Sequence, residues 1–209
     1  MIASLYERHL PRSARGRTAD LGCGKAPLAG FCRPLVSDYV CVDWAKTIHG
    51  REFLDLQCDL GSKLPFRDGS FDTVILSDVL EHIPDPGLLW FELYRILSPG
   101  GAVVMNTPFL YRLHEEPHDY YRYTEFALKR LASAAGFEIL HFESTGGSPE
   151  VMADLMAKNL LRIRAVGQFA AALFSSAASL LRRMGFVRRI SESTERAFPL
   201  GYFMVAGRP

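Results

Sequence analysis

A short apolar run that ends in an acid and then breaks into glycines constrains this chain more than any other feature. It occupies residues 18–27, where Asp20 closes the run and Gly22 and Gly24 follow it. Glycine reaches backbone torsions that other residues adopt only at a cost, and its missing side chain lets a ligand approach the main chain. The pattern predicts a first strand that feeds a nucleotide-binding loop.

The loop departs from the pattern of dinucleotide-binding proteins. Their fingerprint, Gly-x-Gly-x-x-Gly, requires a third glycine where the helix packs closely on the strand. In this sequence that place is taken by Pro27. The sequence therefore disfavours a dinucleotide as the ligand of the loop.

Length and charge limit the remaining classes of protein. A chain of 209 residues is long enough for one well-buried domain, so we predict a single domain over residues 1–209. The 24 basic residues nearly balance the 23 acidic ones, which argues against a nucleic-acid partner. The four cysteines form no Cys-x-x-Cys pair and no signal peptide precedes them, so we expect reduced thiols in a cytoplasmic protein.

A second apolar run ends in an acid at Asp43. It lies about 20 residues beyond the glycine loop, where a carboxylate can accept hydrogen bonds from both hydroxyls of a ribose. The alternative is that Asp43 merely caps a turn. Because it occurs together with the glycine loop, we favour Asp43 as the strongest single contact to a cofactor.

The order of apolar runs predicts the architecture. After the first strand, further strands are expected at residues 39–43, 52–58, 71–77, 102–106, 137–142 and 202–206, with helices at 1–10, 86–97 and 124–135. Alternating strands and helices predict an α/β fold with a doubly wound, mostly parallel sheet of seven strands. The last strand follows a distant hairpin and is expected to run antiparallel. Ligands of such sheets bind at the carboxyl ends of the strands.

Several motifs in order resemble one family. They are the acid and glycines of residues 20–24, then Asp43, 58–60, 64–66, 70–72, 80–83 and 97–101. This series is similar to the bacterial type 11 family of class I S-adenosylmethionine-dependent methyltransferases, over residues 17 to 143. Asp20 stands where that family carries the acid of its loop. Ala26 is a departure, because many members have a third glycine there.

The resemblance implies a Rossmann-like fold, methyltransferase activity and S-adenosylmethionine as cofactor, with no metal. It implies that Gly22 and Gly24 lie against the methionine part of the cofactor. The predicted cofactor-binding residues are Asp20, Gly22, Gly24, Asp43 (ribose), Asp59 and Leu60 (adenine), and Asp78 (sulfonium end). Glu81 and His82 follow the same strand, and we slightly favour a structural hydrogen-bonding role for them.

The segment after the fifth strand, residues 107–123, is rich in aromatic, acidic and histidine residues. Three interpretations remain open. His114 and His118 could hold a metal, although Pro117 argues against a helix that would align them. The loop arginines could pair with its acids in a structural lid. We favour an acceptor site in which His118 is the base and Asp119 orients it.

Residues 144–199 stand where this fold usually needs only a hairpin, and they predict a helical insert between strands six and seven. Ser148 is expected to cap a first helix, and a second amphipathic helix is expected after Gly167. Basic residues outnumber acidic ones in the insert. It could pack on its own domain, form a homodimer, or lie on anionic lipid at the inner membrane face.

The sequence thus predicts methyl transfer to a small or lipid-linked acceptor, with oxygen as the favoured acceptor atom. Carbon methylation of a quinone-like or isoprenoid acceptor is the enzymatic alternative. A non-catalytic cofactor-binding module that uses its insert to hold a partner is the alternative from another class.

Overall fold

The computed structural model describes residues 2–45, 50, 52–161, 163, 168 and 184–209. The strands are β1 (Arg17–Leu21), β2 (Asp38–Asp43), β3 (Leu56–Gln57), β4 (Phe71–Ser77), β5 (Leu97–Pro108), β6 (Glu138–Thr145) and β7 (Gly201–Gly207). The helices are α1 (Ile2–Ser13), α2 (Ala29–Cys32), α3 (Pro86–Ile96), α4 (Glu125–Ala134), α5 (Ser148–Leu160) and α6 (Gly185–Thr194), with 3-10 turns at Arg33–Leu35 and Leu80–His82. The second predicted helix of the insert, after Gly167, lies outside the described residues.

The seven strands form one sheet in the order β3-β2-β1-β4-β5-β7-β6. The pairs from β3 to β5 are parallel. Strand β7 runs antiparallel, because Gly100 donates its N–H to the carbonyl of Arg208 and Arg208 donates back to Gly101. The predicted α/β fold is confirmed. The strand order reverses between β1 and β4, and this reversal opens a crevice at their carboxyl ends.

The core explains why these segments become strands and helices. The interior of β4 is buried, as expected for a parallel strand covered on both faces. Helix α3 buries Leu89, Trp90, Leu93 and Ile96, which recur at helical spacing. Asp85 caps this helix by accepting a hydrogen bond from the backbone N–H of Leu88.

Three predicted boundaries need correction. Helix α1 does not end before Pro11 but continues to Ser13, because Leu10 and Ala14 are buried and their packing offsets the hydrogen bond that proline cannot make. Strand β3 pairs with β2 only at Leu56 and Gln57, so it is shorter than 52–58. Strand β5 begins at Leu97, directly after α3, rather than at residue 102.

The chain divides into two compact units. The first comprises Met1–Thr107, Glu115–Glu143 and Phe203–Pro209, and the second comprises Pro108–His114 and Ser144–Tyr202. No helix in the described ranges is long and apolar enough to cross a membrane.

The second unit contains α5 and α6, which cross closely. The N-cap of α5 is Gly147 and not the predicted Ser148. A side chain at Gly147 would collide with the carbonyl of Ser191 on α6, so glycine is needed where the helices meet. The carboxylate of Glu150 accepts the N–H of Gly147, at 2.9 Å, and the hydroxyl of Ser191, at 2.7 Å. Ser148 instead bonds Thr194 on α6.

Candidate cofactor and active site

A cavity of about 1180 Å³ lies at the carboxyl ends of β1, β2 and β4 in the first unit. The sequence-predicted cofactor residues all line it, namely Asp20, Gly22, Gly24, Asp43, Asp59, Leu60 and Asp78. The structure therefore brings together residues that are spread over nearly 60 positions of the sequence. Their individual contacts to a cofactor stay predictions.

The glycine loop requires glycine for a local reason. Gly22 has φ of 76°, and a side chain there would collide with Val79. The N–H groups of Gly22 and Cys23 both donate to the carbonyl of Val42, which ties the loop to β2. Ala26 has φ of 49°, in the left-handed region that favours glycine. A glycine would adopt this conformation without the cost that the side chain of alanine brings.

Asp43 joins the loop to the end of β2. Its Oδ2 accepts the N–H of Gly24 at 3.1 Å, and its Oδ1 accepts the N–H of Trp44 at 2.8 Å. The residue is buried but lines the cavity. A carboxylate offers about four lone-pair sites, so it can still accept hydrogen bonds from a bound diol. The geometry suits the predicted ribose contact.

Asp20 lies beneath the loop, and the hydroxyl of Tyr39 donates to its Oδ2. Burial raises the pKa of Asp20 to about 6, the charge of Asp43 raises it too, and the Tyr39 hydrogen bond opposes both. Burial also raises the pKa of Tyr39 above its ordinary range, which keeps the phenol protonated as a donor. Sequence reasoning missed Tyr39, because no local pattern indicates that its hydroxyl reaches an acid on another strand.

This arrangement makes stability depend on Asp20 between pH 4 and 7. A carboxyl whose pKa is raised by folding stabilises the protein fully below its unfolded pKa, and that stabilisation is lost as the pH rises through about 6. We expect the unfolding free energy of the wild type, relative to Asp20→Asn, to fall by up to about 3 kcal/mol over this range. Urea unfolding of both proteins at a series of pH values from 4 to 7 measures this difference in free energy. Asp38→Asn changes an exposed acid, and its unfolding free energy should vary with pH as that of the wild type does. If the difference between the wild type and Asp20→Asn does not change with pH, the raised pKa of Asp20 is contradicted.

Asp78 is held by a buried network that starts in α1. Asn106 donates its Nδ2–H to Asp78 Oδ1 at 2.7 Å, and its Oδ1 accepts the hydroxyls of Tyr6 at 2.7 Å and Ser77 at 2.9 Å. Asp78 has φ of 53°, a conformation that needs such support. Burial raises the pKa of Tyr6 well above its ordinary value, so Tyr6 acts as a donor. The network fixes the Asp78 carboxylate at the cavity wall.

Glu81 and His82 hold the segment that follows residue 115. The carbonyl of Glu81 accepts the N–H of Tyr120 at 2.9 Å, and its buried carboxylate accepts the hydroxyl of Thr107 at 3.2 Å. His82 donates from Nδ1 to the carbonyl of His118 at 2.9 Å. These contacts agree with the structural role that we favoured for Glu81 and His82.

His118 lines the cavity, whereas Asp119 is not among the described lining residues. The Nδ1 of His118 lies 3.0 Å from the hydroxyl of Tyr120, and its ring meets the indole of Trp44 edge-on with centroids 4.9 Å apart. Both carboxylate oxygens of Asp119 instead accept from Arg122, at 2.6 and 2.7 Å. That pair is one the lid interpretation expected. The orientation of His118 by Asp119 stays a prediction.

Comparison with known proteins shows what part of this chain is similar to. Residues 19–105 match a family described as "Methyltransferase domain". An uncharacterised methyltransferase of Mycobacterium sp. (strain KMS) is 48% identical over 115 residues, which cover 51% of this chain and 44% of the relative. Residues 19–105 are thus similar to the methyltransferase domain of S-adenosylmethionine-dependent methyltransferases.

Two further comparisons also find similar methyltransferases. The demethylmenaquinone methyltransferase of Streptomyces griseus is 49% identical over 45 residues, which cover 22% of this chain and 20% of that protein. The solved S-adenosylmethionine-dependent methyltransferase of Mesorhizobium loti has a TM-score of 0.62 at 16% identity, covering 98% of this chain and 96% of that chain. At that identity the likeness shows the fold alone. The chain spans about half or less of the length of the curated relatives it matches.

The residues of the methyltransferase domain fit S-adenosylmethionine, the cofactor of this class. The charged lining of the described cavity is mostly acidic, with Lys25 against Asp20, Asp43, Asp59, Asp78, Glu115 and Glu116. This charge suits a cationic sulfonium and disfavours the phosphates of a dinucleotide. Trp44 and Tyr120 also line the cavity. Sequence reasoning missed Trp44, whereas Tyr120 belongs to the aromatic segment 107–123 that was expected near the ligand. The signal for Trp44 was its place directly after Asp43.

Proposed function

We propose that the protein transfers the methyl group of S-adenosylmethionine to the oxygen of a small or lipid-linked acceptor. The observation that carries the proposal is an imidazole, His118, on the wall of the same cavity that holds the predicted cofactor residues. The cofactor supplies a methyl group on a positively charged sulfur, so the protein has mainly to align the acceptor. A hydroxyl acceptor must also lose its proton, and histidine is suited to accept it near neutral pH.

The contact between His118 and Tyr120 bears on which nitrogen acts. If Nδ1 carries the proton and donates to the Tyr120 oxygen, Nε2 is free to take the proton of the acceptor hydroxyl. The oxygen that loses this proton would be the methyl acceptor, and neutral S-adenosylhomocysteine would be the second product. In this proposal the hydroxyl of Tyr120 fixes the tautomer of His118.

Carbon methylation of a quinone-like or isoprenoid acceptor is the second candidate. It is supported by the partial match to a demethylmenaquinone methyltransferase. A non-catalytic module remains the rival from another class.

Turnover and product analysis decide among these functions. Extracts of a deletion strain should lack a methylated metabolite or lipid that the parent contains. Purified protein should release S-adenosylhomocysteine when the demethylated extract is added, and an ether or ester product supports oxygen transfer. Release of S-adenosylhomocysteine without a new O–CH₃ group in the product would favour carbon methylation. Cofactor binding without any release of S-adenosylhomocysteine would favour the non-catalytic cofactor-binding module.

The second unit supports contact with a lipid surface. Helix α5 exposes Met152, Leu155 and Met156, and α6 exposes Phe186 and, two residues further on, Arg188. Exposed apolar residues together with exposed basic ones suit an anionic membrane, which would carry a lipid-linked acceptor. A homodimer through the same face is the competing interpretation.

We expect the protein to sediment with anionic vesicles at low salt and to be released as salt screens its exposed charges. Met156→Ser with Phe186→Ser should reduce binding. Phe126→Ser in α4 is the matched control, because Phe126 is 73% exposed but belongs to the first unit. If the protein does not bind vesicles and the double substitution converts a dimer into monomers, the exposed residues of α5 and α6 form a contact between subunits.

A further inference from the structure

Three potential metal ligands meet in the first unit, where α1 lies against the edge strand β6. The Nε2 of His9 is 3.2 Å from Glu143 Oε1, and the Nε2 of His141 is 3.3 Å from the same oxygen. The two imidazole rings are 4.2 Å apart between centroids and inclined by 32°. All three donor atoms lie within 4.8 Å of one another.

Regular secondary structure fixes the backbone positions of these three residues. His141 and Glu143 are two residues apart on β6, so they share one face of the sheet. His9 belongs to α1, which is anchored to the sheet by buried Leu5, Tyr6 and Leu10. The side chains of His9, Glu143 and His141 are 12%, 26% and 36% exposed. An ion from solvent could therefore reach ligands whose backbones are fixed.

The distances suit a small tetrahedral ion. Zinc bonds of about 2.0 to 2.1 Å imply ligand–ligand separations of roughly 3.3 to 3.4 Å along the edges of a tetrahedron. The two nitrogen–oxygen distances, 3.2 and 3.3 Å, are close to that value. Two imidazoles and one carboxylate are a donor set that zinc accepts, whereas calcium and magnesium prefer oxygen alone.

We propose that His9, His141 and Glu143 bind one Zn²⁺ ion, through Nε2, Nε2 and Oε1, with water as the fourth ligand. Within the described part of the chain, none of the three lines the cofactor cavity. The site is therefore separate from methyl transfer. The ion would link α1 to β6 and so hold in place the helix whose Tyr6 supports Asn106.

The charge of Arg8, next to the three proposed ligands, provides a further test of zinc binding. Arg8 places Nη2 3.6 Å from Glu143 Oε1, the same oxygen that the ion would use. The guanidinium competes with a cation for this oxygen. Arg8→Gln should therefore bind zinc several-fold more tightly than the wild type, whereas a cluster that is only an ion pair would be weakened by losing Arg8.

The experiment is calorimetric titration of the tag-free, metal-stripped protein with zinc. We expect one equivalent bound, and a loss of affinity of about tenfold or more in His141→Gln and in Glu143→Gln. Glu138→Gln is the matched control, because this exposed acid lies on the opposite face of β6. Zinc should raise the melting temperature of the wild type but not of the two ligand variants.

Two results would overturn the proposal. One is the lack of stoichiometric zinc binding by a wild-type protein whose circular dichroism shows it to be folded. The other is undiminished binding by a folded His141→Gln, Glu143→Gln double variant, which would assign the metal to other ligands such as the partly exposed thiol of Cys58.

Discussion

His118→Ala is expected to lower turnover by about 10²-fold while cofactor affinity changes by no more than a few fold. This is the loss expected when a general base is removed. His118 lines the cavity and contacts Trp44 at the ring edge, so its truncation removes a proton acceptor and leaves the glycine loop intact. Release of S-adenosylhomocysteine measures turnover, and calorimetry with the cofactor measures affinity.

Two tyrosine variants test whether His118 acts chemically. Tyr120→Phe removes the partner of His118 Nδ1 and should lower turnover more than it lowers cofactor affinity. Tyr121→Phe is the matched control, since its hydroxyl bonds the carbonyl of Pro84 instead. If His118→Ala loses turnover and cofactor affinity together, the segment is a structural lid. If turnover survives, the base lies elsewhere or the acceptor needs none.

That the predicted cofactor residues meet in one cavity was predictable, because they follow local rules. Each acid ends an apolar run, and parallel strands deliver such ends to one edge of the sheet. Asp20, Asp43 and Asp78 therefore reach one cavity although their partners were unknown. The need for glycine at position 22 likewise follows from a turn that its neighbours impose.

The supporting contacts were not predictable, because they join residues that are distant in sequence. Tyr6 and Asn106 are 100 positions apart, and α1 has no pattern that indicates a partner on β5. The pairing of Asp119 with Arg122 is local, but the sequence offered several acids to the same arginine. Choosing among them requires the packing of the loop.

The predicted helix boundaries were wrong where tertiary packing opposes a local sequence signal. Pro11 normally marks the end of a helix, yet α1 continues because its apolar face is buried. The crossing of α5 and α6 moved the cap to Gly147, since only glycine fits against Ser191. In both places the neighbouring element decides, and a single sequence does not contain that neighbour's position.

Asp43→Ala should weaken binding of S-adenosylmethionine by about 1.5 to 3 kcal/mol, or roughly 10- to 150-fold, the range for charge-assisted hydrogen bonds. The structure adds a second reason, because the carboxylate also holds the N–H groups of Gly24 and Trp44. Calorimetric titration with S-adenosylhomocysteine measures the change without turnover.

Asp43→Asn separates these two contributions. The amide keeps one oxygen of the same shape, so it can still accept a backbone N–H, but it loses the charge and one acceptor that a ribose diol would use. If Asp43 binds the ribose, Asn should lose nearly as much affinity as Ala. If Asp43 only ties the glycine loop to β2, Asn should keep one of the two backbone hydrogen bonds and lose clearly less affinity than Ala. Asp38→Asn, at the exposed start of the same strand, should leave affinity unchanged, and unchanged affinity in Asp43→Ala would refute both roles.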